Sequence, residues 1–317
     1  MKSSSDRELA DTGEYVAFEE LVARFFEDEP RTVVLVEFGA LSHRGLVRDD
    51  NEDHYLVVRR RRERDVLLSN LPLEQLKGPD QQAYALAVAD GLGGHAFGEV
   101  ASLLALREAW FLGGSEINWP IKMNRRESEE LELKAGVIFR LLDKALQSAA
   151  KVQPKLAGMG TTLTVCYTTG PELFILHAGD SRAYVYRGGT LRRLTRDHTA
   201  AQEIIDAGMA EPNSDSETSR RHVLTNWIGG GRVEADVAHH RLADGDRLLL
   251  CTDGLTDLVP ELEIAALLNA HSRPDDACRG LVDRALEHGG LDNVTVVLAD
   301  FTIPNVADTG DWPARRG

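Results

Sequence analysis

The sequence predicts an α+β fold, a four-layer α/β/β/α sandwich of two mainly antiparallel sheets flanked by helix pairs, with a metal site at one end between the sheets. Short apolar runs are joined by hairpin-type turns such as Gly170-Pro171 and Gly188-Gly189, which favour antiparallel pairing over strand–helix–strand crossovers. Helical patterns occur in pairs at two places in the chain, so each pair can cover one outer face. Acidic residues follow several of the apolar runs, which predicts the metal site.

The first half of the chain is predicted to contain three strands followed by one helix pair. Apolar runs predict strands at Thr32–Ala40, His54–Val58 and Tyr84–Ala89. The first helix is expected at Glu99–Leu112 and the second at Ser128–Lys151, and two glycines after Leu112 would end the first. The second helix is amphipathic, and its apolar stripe consists of Ile138, Leu141, Leu142, Ala145 and Ala149.

The second half is predicted to supply the remaining strands and the second helix pair. Strands are expected at Thr161–Tyr167, Glu172–His177, Arg182–Tyr186, Val233–Arg241, Arg247–Thr252 and Asn293–Phe301. Helices are expected at Thr199–Ala207, Pro260–Ala270 and Asp275–Glu287.

Three segments are predicted along the chain: an N-terminal extension over residues 1–31, a main domain over residues 32–303, and a disordered tail over residues 304–317. The extension should contain one amphipathic helix that packs on the domain or docks on a partner. The helix is predicted from the i, i+3, i+4, i+7 spacing of Phe18, Leu21, Val22 and Phe25.

Two stretches inside the main domain are expected to lie outside the sheets and helices. The arginine run from Arg59 to Arg64 is predicted at a solvated hairpin tip, with the steering of phosphopeptides as the alternative role. Ser69–Gln82 contains two prolines and a glycine and is predicted to be an irregular insertion.

Composition limits the class of protein. The 317 residues are 43% hydrophobic and 27% charged, which suits a globular chain with a sizeable core. A net charge of −15 argues against broad affinity for nucleic acids or anionic membranes. The chain shows no apolar run of about 18 residues and no secretory signal pattern, and its three cysteines are scattered. These features predict a cytoplasmic protein that has no membrane span and binds no nucleic acid.

Acidic residues at strand ends are the strongest chemical signal. Asp90 follows the run Tyr84–Ala89 and is itself followed by a glycine, so the backbone can turn sharply there. Asp180 and Asp253 follow two other apolar runs in the same way. A single Asp-Gly pair also marks ordinary turns. Several carboxylates at strand ends, however, suit Mg²⁺ or Mn²⁺, which prefer oxygen ligands.

The motifs, taken in order, resemble those of the metal-dependent Ser/Thr protein phosphatases of the protein phosphatase 2C (PPM) type, in their bacterial form. The resemblance covers roughly residues 32–301, and its specificity comes from the full series rather than from any one motif. The matching stretches are Ser42–Asp53, Asp90–His95, Gly158–Thr162, Gly179–Arg182, Leu194–His198, Thr252–Leu255 and Asp292–Thr295.

This resemblance implies a centre of two Mn²⁺ or Mg²⁺ ions and a metal-activated water that attacks phosphorus directly. By position, Asp90 matches the bridging carboxylate, and the carbonyl of Gly91 matches a ligand of one ion. The other matched metal residues are Asp253 and Asp292 for the second ion, Glu52 and Asp53 for metal-bound waters, and Asp180 with Asp253 for a third, weaker ion.

The same resemblance implies that Arg48 binds the phosphate, because a guanidinium can fork onto two phosphate oxygens. The competing interpretation of Arg48 is a surface salt bridge with Asp49 or Asp50. Gly160-Thr161-Thr162 is expected to support strand packing behind the metals. Residues 197–230 match the family's flap, a segment that shapes access of the substrate.

One position departs from the pattern of many eukaryotic members, which carry a histidine directly after the Asp-Gly pair, proposed there as the general acid. Here that position is Leu92, and His95 follows later. We therefore assign no general acid, and His95 is expected to structure its loop.

The resemblance implies hydrolysis of phosphoserine and phosphothreonine on proteins, opposing a Ser/Thr kinase. The implied partners are phosphoprotein substrates, including a Ser/Thr kinase and its targets, and the protein is expected to be a monomer. The alternative from a different class is a catalytically silent phosphatase-fold scaffold or phosphoprotein-binding module. A third possibility, a phosphatase acting on one small regulatory phosphoprotein, shares the same site and differs only in substrate.

Overall fold

The computed structural model describes residues 34–62, 67–68, 70–71, 81–92, 97–115, 125–211, 214 and 218–303. Val34–Ile303 forms one compact unit. The expected N-terminal helix, the C-terminal tail, His95 and most of the Ser69–Gln82 insertion lie outside the described residues. Among the described helices, none combines the length and apolar character needed to cross a bilayer.

The elements follow the predicted order. The strands are β1 (Leu35–His43), β2 (His54–Arg62), β3 (Gln81–Ala89), β4 (Gly91–Leu92), β5 (Gly160–Thr161), β6 (Leu163–Thr169), β7 (Glu172–Ala178), β8 (Arg182–Arg187), β9 (Thr190–Arg193), β10 (Asp236–Arg241), β11 (Arg247–Cys251) and β12 (Val294–Thr302). The α-helices are α1 (Phe97–Ser115), α2 (Arg125–Val152), α3 (Ala200–Asp206), α4 (Asp253–Thr256), α5 (Glu261–Ala270) and α6 (Pro274–Glu287).

Two five-stranded antiparallel sheets form the centre of the molecule. The first has the order β1-β12-β11-β8-β9, and the second has the order β10-β7-β6-β3-β2. A two-stranded ribbon, β4-β5, lies beside them. The hairpin turns expected from Gly170 and Gly188-Gly189 are present, and all three glycines adopt positive φ.

Three apolar cores define the four layers. Leu86 and Val88 of the second sheet pack with Leu250 and Val297 of the first, so one core lies between the sheets. The second core lies between α1, α2 and the second sheet. The third lies between α5, α6 and the first sheet. The predicted α/β/β/α sandwich is therefore confirmed.

The prediction for the arginine run was wrong in its local structure. Arg59 lies inside β2, which continues to Arg62. β2 pairs with β3 along its whole length, from His54 opposite Ala89 to Arg62 opposite Gln81. Backbone pairing needs no apolar side chain, so the ladder continues past the last apolar residue, Val58. Arg64 lies outside the described residues.

Two other boundaries differ for physical reasons. α1 runs through Gly113 and Gly114 to Ser115, because a glycine inside a helix costs only about 1 kcal/mol and packing can offset it. β4, α4 and β9 have no counterpart in the sequence-based predictions. The four residues of β9 carry one apolar side chain and are held by pairing with β8.

The topology brings the predicted acidic residues to one end of the sandwich. β2 and β3 pair so that His54 faces Ala89, which makes Asp53 and Asp90 neighbours just beyond the two strands. In the other sheet β11 and β12 pair antiparallel, so the end of β11 lies beside the start of β12. The residues after Cys251 and those before Val294 therefore meet at the same end of the sheet.

A buried histidine lies near this end, on β7. Nε2 of His177 is 3.0 Å from the carbonyl oxygen of Arg196 and must carry a proton to donate to it. Nδ1 then accepts from the hydroxyl of Thr164 at 2.9 Å. Burial, and after it the neighbouring ring of His198, lowers the pKa of His177 to about 4, although the charge of Asp197 opposes the shift.

We expect His177→Gln to lose less stability than the wild type as the pH falls below neutral. Because the folded-state pKa lies below the unfolded value, the unfolded chain binds the proton first. Stability is therefore lost as the pH falls from about 6.5 to about 4, by up to about 1.4 kcal/mol per pH unit. The free energy of unfolding of each protein can be measured in urea at pH 7 and at pH 5. From pH 7 to pH 5 the wild type should lose more of that free energy than the variant does. A difference independent of pH would contradict this assignment.

Candidate metal centre

Five aspartates converge where strands of both sheets end: Asp53, Asp90, Asp180, Asp253 and Asp292. Burial raises the pKa of Asp90 well above its usual range, and the charges of the other four raise it further. The pKa of Asp180 is also raised well above its usual range, first by burial and then by Asp253. Like charges this close are unfavourable unless protons or a cation neutralise them.

Asp53 is a buried member of this cluster, and one of its carboxylate oxygens has no partner within the described residues. The residue is only 4% exposed, and its Oδ2 accepts from the hydroxyl of Thr252 at 2.8 Å. Oδ1 is buried and has no hydrogen-bond partner in the described part of the chain. Burial raises the pKa of Asp53 to about 7. A buried carboxylate oxygen without a partner is costly, and a cation, or a water bound to one, would remove that cost.

The backbone of Asp90 and Gly91 is held from several sides. The N–H of Asp90 donates to the hydroxyl oxygen of Thr162 at 3.0 Å, and the Asp90 carbonyl accepts from the hydroxyl of Thr161 at 2.8 Å. Gly91 pairs with Thr161 in the β4-β5 ribbon, and a Cβ on Gly91 would overlap the carbonyl oxygen of Gly98. The hydroxyls of Thr161 and Thr162 therefore support the backbone that carries the Asp90 carboxylate.

The turn that carries Asp180 is tied to the first residues of the predicted flap, residues 197–230. The N–H of Gly179 donates to Nδ1 of His198 at 3.1 Å, and the N–H of His198 donates to the carbonyl of Gly179 at 2.8 Å. The hydroxyl of Ser181 shares a hydrogen bond of 2.8 Å with that of Thr162. Thr162 therefore links the backbone of β3's end to the residue next to Asp180.

Glu52 lies beside the cluster, against the start of α1. Its backbone N–H donates to the side-chain oxygen of Asn293 at 2.8 Å, and its carbonyl accepts from the hydroxyl of Ser102 at 2.5 Å. A Cβ on Gly98 would lie 2.6 Å from the Glu52 carboxyl group. Burial raises the pKa of Glu52, although the Gly98 N–H and the charge of Arg48 oppose the shift.

Arg48 reaches the solvent-exposed edge of the cluster. One of its Nη atoms lies 2.7 Å from Oδ2 of Asp292, and the two side chains are 55% and 39% exposed. The sequence-based alternative paired Arg48 with Asp49 or Asp50, whereas in the structure its partner is Asp292. A surface ion pair of this exposure contributes little to stability, so the guanidinium can exchange this partner for a bound anion.

Asn293 fixes the loop between β1 and β2 against the start of β12. Its Nδ2 donates to the carbonyls of Arg44 and Asp50, each at 2.9 Å, and its Oδ1 accepts from the N–H of Glu52 at 2.8 Å. Its own N–H donates to Oδ1 of Asp292 at 2.8 Å. One amide side chain thereby positions both sides of the exposed edge.

Gly254→Ala should disturb the cluster. A Cβ at Gly254 would overlap the carbonyl oxygen of Asn293, so α4 must move away from β12, at a cost of about 1 to 3 kcal/mol. The movement displaces Asp253, so Mn²⁺ affinity should fall as well. Thermal unfolding and Mn²⁺ titration measure the two effects.

Gly136→Ala in α2 is the matched control. Only the guanidinium of Arg140 lies close to a Cβ there, at 3.3 Å, and alanine favours a helix by about 1 kcal/mol over glycine. This variant should be neutral or more stable, with unchanged Mn²⁺ affinity. Equal losses in the two variants would contradict the role given to Gly254.

Two residues beside the cluster were not predicted from sequence. Nδ1 of His222 lies 3.5 Å from a carboxylate oxygen of Asp257 and 3.8 Å from one of Asp253, and the three groups can share an ion. Burial and the charge of Asp253 raise the pKa of Asp257 to about 6. The four-residue spacing from Asp253 to Asp257 is a helical signal that could have identified Asp257. No sequence pattern marks His222, which comes from the flap.

The donor set fits a hard divalent cation. Carboxylates and a backbone carbonyl are the ligands that Mg²⁺ and Mn²⁺ prefer. The structure brings all the sequence-predicted metal residues to this end of the sandwich, and Arg48 borders them. These residues are Glu52, Asp53, Asp90, Gly91, Asp180, Asp253 and Asp292.

Comparison with known proteins identifies relatives of this chain. The chain is 34% identical over 270 residues to the Ser/Thr protein phosphatase PstP of Mycobacterium tuberculosis. The aligned region covers 85% of this chain and 46% of that protein. The Ser/Thr phosphatase stp of Listeria welshimeri is 33% identical over 214 residues, covering 67% of this chain and 82% of that protein. The chain thus spans about half the length of the PstP relative.

Solved structures show the same fold. A crystal structure of the catalytic domain of PstP in complex with two manganese ions superimposes with a TM-score of 0.66 at 33% identity, covering 85% of this chain and 100% of that one. The family profile described as "Protein phosphatase 2C" matches residues 75–287. The chain therefore belongs to the protein phosphatase 2C family.

Proposed function

We propose that this chain hydrolyses phosphoserine and phosphothreonine on proteins with the help of Mn²⁺ or Mg²⁺ ions. The observation that carries the proposal is the buried carboxylate cluster, in which Asp53 has an orphaned oxygen, directly beside the half-exposed Arg48. This arrangement pairs a site for cations with a site for an anion at the same opening. Names of the relatives, which are Ser/Thr protein phosphatases, support the same activity.

The proposed ligands follow the family pattern. When bound, the ions would stabilise negative charge on the phosphoryl group and lower the pKa of a water molecule that serves as the nucleophile. Asp90 would bridge two core ions, the Gly91 carbonyl would bind one, and Asp253 and Asp292 would bind the other. Glu52 and Asp53 would hold waters, and Asp180 with Asp253 would hold a third ion.

The chain's own part in catalysis is positioning and charge. Arg48 would bind phosphate oxygens and hold the phosphoryl group next to the carboxylates. Leu92, the residue after the Asp-Gly pair, pairs with Gly160 in the β4-β5 ribbon and offers no proton. We assign no side chain as general acid, and the leaving group would take its proton from water.

Arg48→Lys should lower kcat/KM for a phosphopeptide by about 10- to 100-fold, because lysine cannot form the forked pair of charge-assisted hydrogen bonds. The effect should appear mainly in KM. Mn²⁺ affinity, measured by titration, should stay within about twofold, since the lysine retains the positive charge next to Asp292. Collapse of metal affinity instead would show that the arginine has been misassigned.

The competing proposal is a silent scaffold that binds phosphoproteins without turnover. The test assays a phosphopeptide and p-nitrophenyl phosphate with Mn²⁺, with Mg²⁺ and with EDTA, beside a measurement of phosphopeptide binding. Metal-dependent turnover supports the enzyme. Binding without turnover in either metal supports the scaffold, and turnover unaffected by EDTA contradicts the metal centre.

We further propose a cytoplasmic monomer that acts on phosphoproteins and opposes a Ser/Thr kinase. Comparison of phosphoproteomes with and without the gene would identify the substrates, and light scattering would give the oligomeric state.

A further inference from the structure

A cavity of about 400 Å³ lies between the second sheet and helices α1 and α2. Its walls are apolar, and Ala85 and Ala87 on β3 are too small to fill the space below Leu106 and Phe139. The volume falls within the range of small-molecule sites, about 300 to 1,000 Å³. None of the proposed metal ligands lines it.

Among the described residues that line this cavity, the charged ones are Arg59 and Arg60, and only Arg60 is on the strand face that points to the helices. Leu56, Val58 and Arg60 alternate along β2 and so lie on the same, helix-facing side of the sheet. One Nη atom of Arg60 is buried and has no hydrogen-bond partner within the described chain. A buried guanidinium N–H without a partner is costly, and an anion would satisfy it.

Tyr167 of β6 lines the same cavity as Arg60. Burial raises the pKa of Tyr167, and the charge of Arg60 opposes that shift. A carboxylate is the partner that matches a guanidinium in shape and charge.

We propose that this cavity binds an aliphatic carboxylate, with the carboxylate on Arg60 and the hydrocarbon chain against Leu106, Phe139 and Leu142. The apolar walls argue against sugars and nucleotides, whose many polar groups would lose their hydration without gaining partners. One guanidinium with a buried, unpartnered Nη atom suits a ligand that carries one negative charge.

Helix α1 connects this cavity to the metal centre. Leu106, Ala109 and Trp110 of α1 line the cavity. About one turn earlier, the hydroxyl of Ser102 donates to the carbonyl of Glu52. A ligand that shifts α1 must therefore also shift the residues next to the metal site, and occupancy should change metal-dependent turnover. This regulatory part rests on the proposed function.

The test is calorimetric titration of the full chain with laurate below its micelle concentration. Saturable binding at one site is expected, and 1-dodecanol, which has the same chain length without the charge, should bind at least tenfold more weakly. Arg60→Gln should remove that preference. Arg61→Gln, on the same strand but not lining the cavity, is the matched control and should keep it.

Ala87→Phe and Ala109→Leu each add side-chain volume inside the cavity and should abolish binding, and their melting curves establish which of them is folded. Absence of saturable binding by the wild type, or undiminished binding in a folded filled variant, would overturn the site. Equal loss in Arg60→Gln and Arg61→Gln would overturn the anchor.

A separate activity measurement decides the regulatory part. Saturating laurate should change Mn²⁺-dependent turnover of p-nitrophenyl phosphate at least twofold in the wild type and not in the folded cavity-filled variant. Laurate binding without that change would overturn the coupling through α1. A chain without turnover would contradict the proposed function, while the calorimetry would still decide whether the cavity binds laurate.

Discussion

Asp90→Asn should remove nearly all Mn²⁺-dependent activity and yet stabilise the metal-free protein. Both effects have one cause, because the carboxylate that an ion requires is unfavourable when no ion is bound. Burial and the charges of Asp53, Asp253, Asp180 and Asp292 hold the pKa of Asp90 well above its usual range. Loss of the proposed bridging carboxylate should lower kcat/KM about 100- to 1,000-fold, equivalent to about 3 to 4 kcal/mol of transition-state stabilisation.

The stability effect has a defined pH dependence. Because the folded-state pKa of Asp90 is raised above its unfolded value of about 3.9, the folded apo protein keeps a proton that the unfolded chain releases. That contribution is fully present below about pH 4 and is lost as the pH rises toward the folded-state pKa. Asparagine does not titrate, so the melting temperature of the variant in EDTA should exceed that of the wild type increasingly from pH 5 to pH 8.

Asp276→Asn, which changes an exposed carboxylate at the start of α6, is the control for this comparison. It should leave activity intact and should show no pH-dependent gain. If the apo wild type is more stable than Asp90→Asn at pH 8, the mutual repulsion inferred for the cluster is wrong.

Mn²⁺ should stabilise the wild type strongly, and Asp253→Ala should remove the part of that stabilisation that comes from the second ion and abolish turnover. An ion at a hundred times its dissociation constant adds about 2.7 kcal/mol. For a chain of this size that corresponds to about 4 to 5 °C in melting temperature per ion. Binding should also release protons, because Asp90 and Asp180 have raised pKa values and must lose any proton to coordinate.

Thermal unfolding with Mn²⁺ and with EDTA checks this prediction, and titration in buffers of different ionisation enthalpy reveals the released protons. Arg48→Lys is the matched control within the same site and should keep the full Mn²⁺ shift. A shift of wild-type size in Asp253→Ala would show that the ion binds elsewhere.

The layers of the fold could be predicted because strand and helix patterns depend on burial. β11 and β12 are mostly apolar and are buried at nearly every position, since each lies inside a sheet covered on both faces. β9 and the second half of β2 could not be predicted in the same way. Their side chains are polar except for Leu191, and they become strands through pairing with β8 and β3, which local sequence does not report.

The candidate site could be predicted as a set of residues, but not as a set of contacts. Each aspartate of the cluster carries a local signal, because it comes next to an apolar run. The ion pair of Arg48 with Asp292 joins residues 244 positions apart, and Asn293 reaches back to Glu52 over a similar distance. Such contacts depend on which strand ends meet, so only the folded topology shows them.

Two features had no sequence signal. His222 lies in the polar flap, where no periodic pattern indicates which side chain points toward the carboxylates. Arg60 belongs to a run of arginines that, in sequence, suggests a solvated surface. The alternation of β2 instead directs it to the helix-covered face, opposite the small side chain of Ala83 on β3.

The central claim is that the strand-end carboxylates hold two divalent ions. Its most direct test is anomalous diffraction at the manganese edge from crystals of the full chain grown with Mn²⁺. Two strong peaks are expected, both in contact with Asp90, one also bound by the Gly91 carbonyl and the other by Asp253 and Asp292. No peak among these residues, or a single peak that Asp90 does not contact, would contradict the claim.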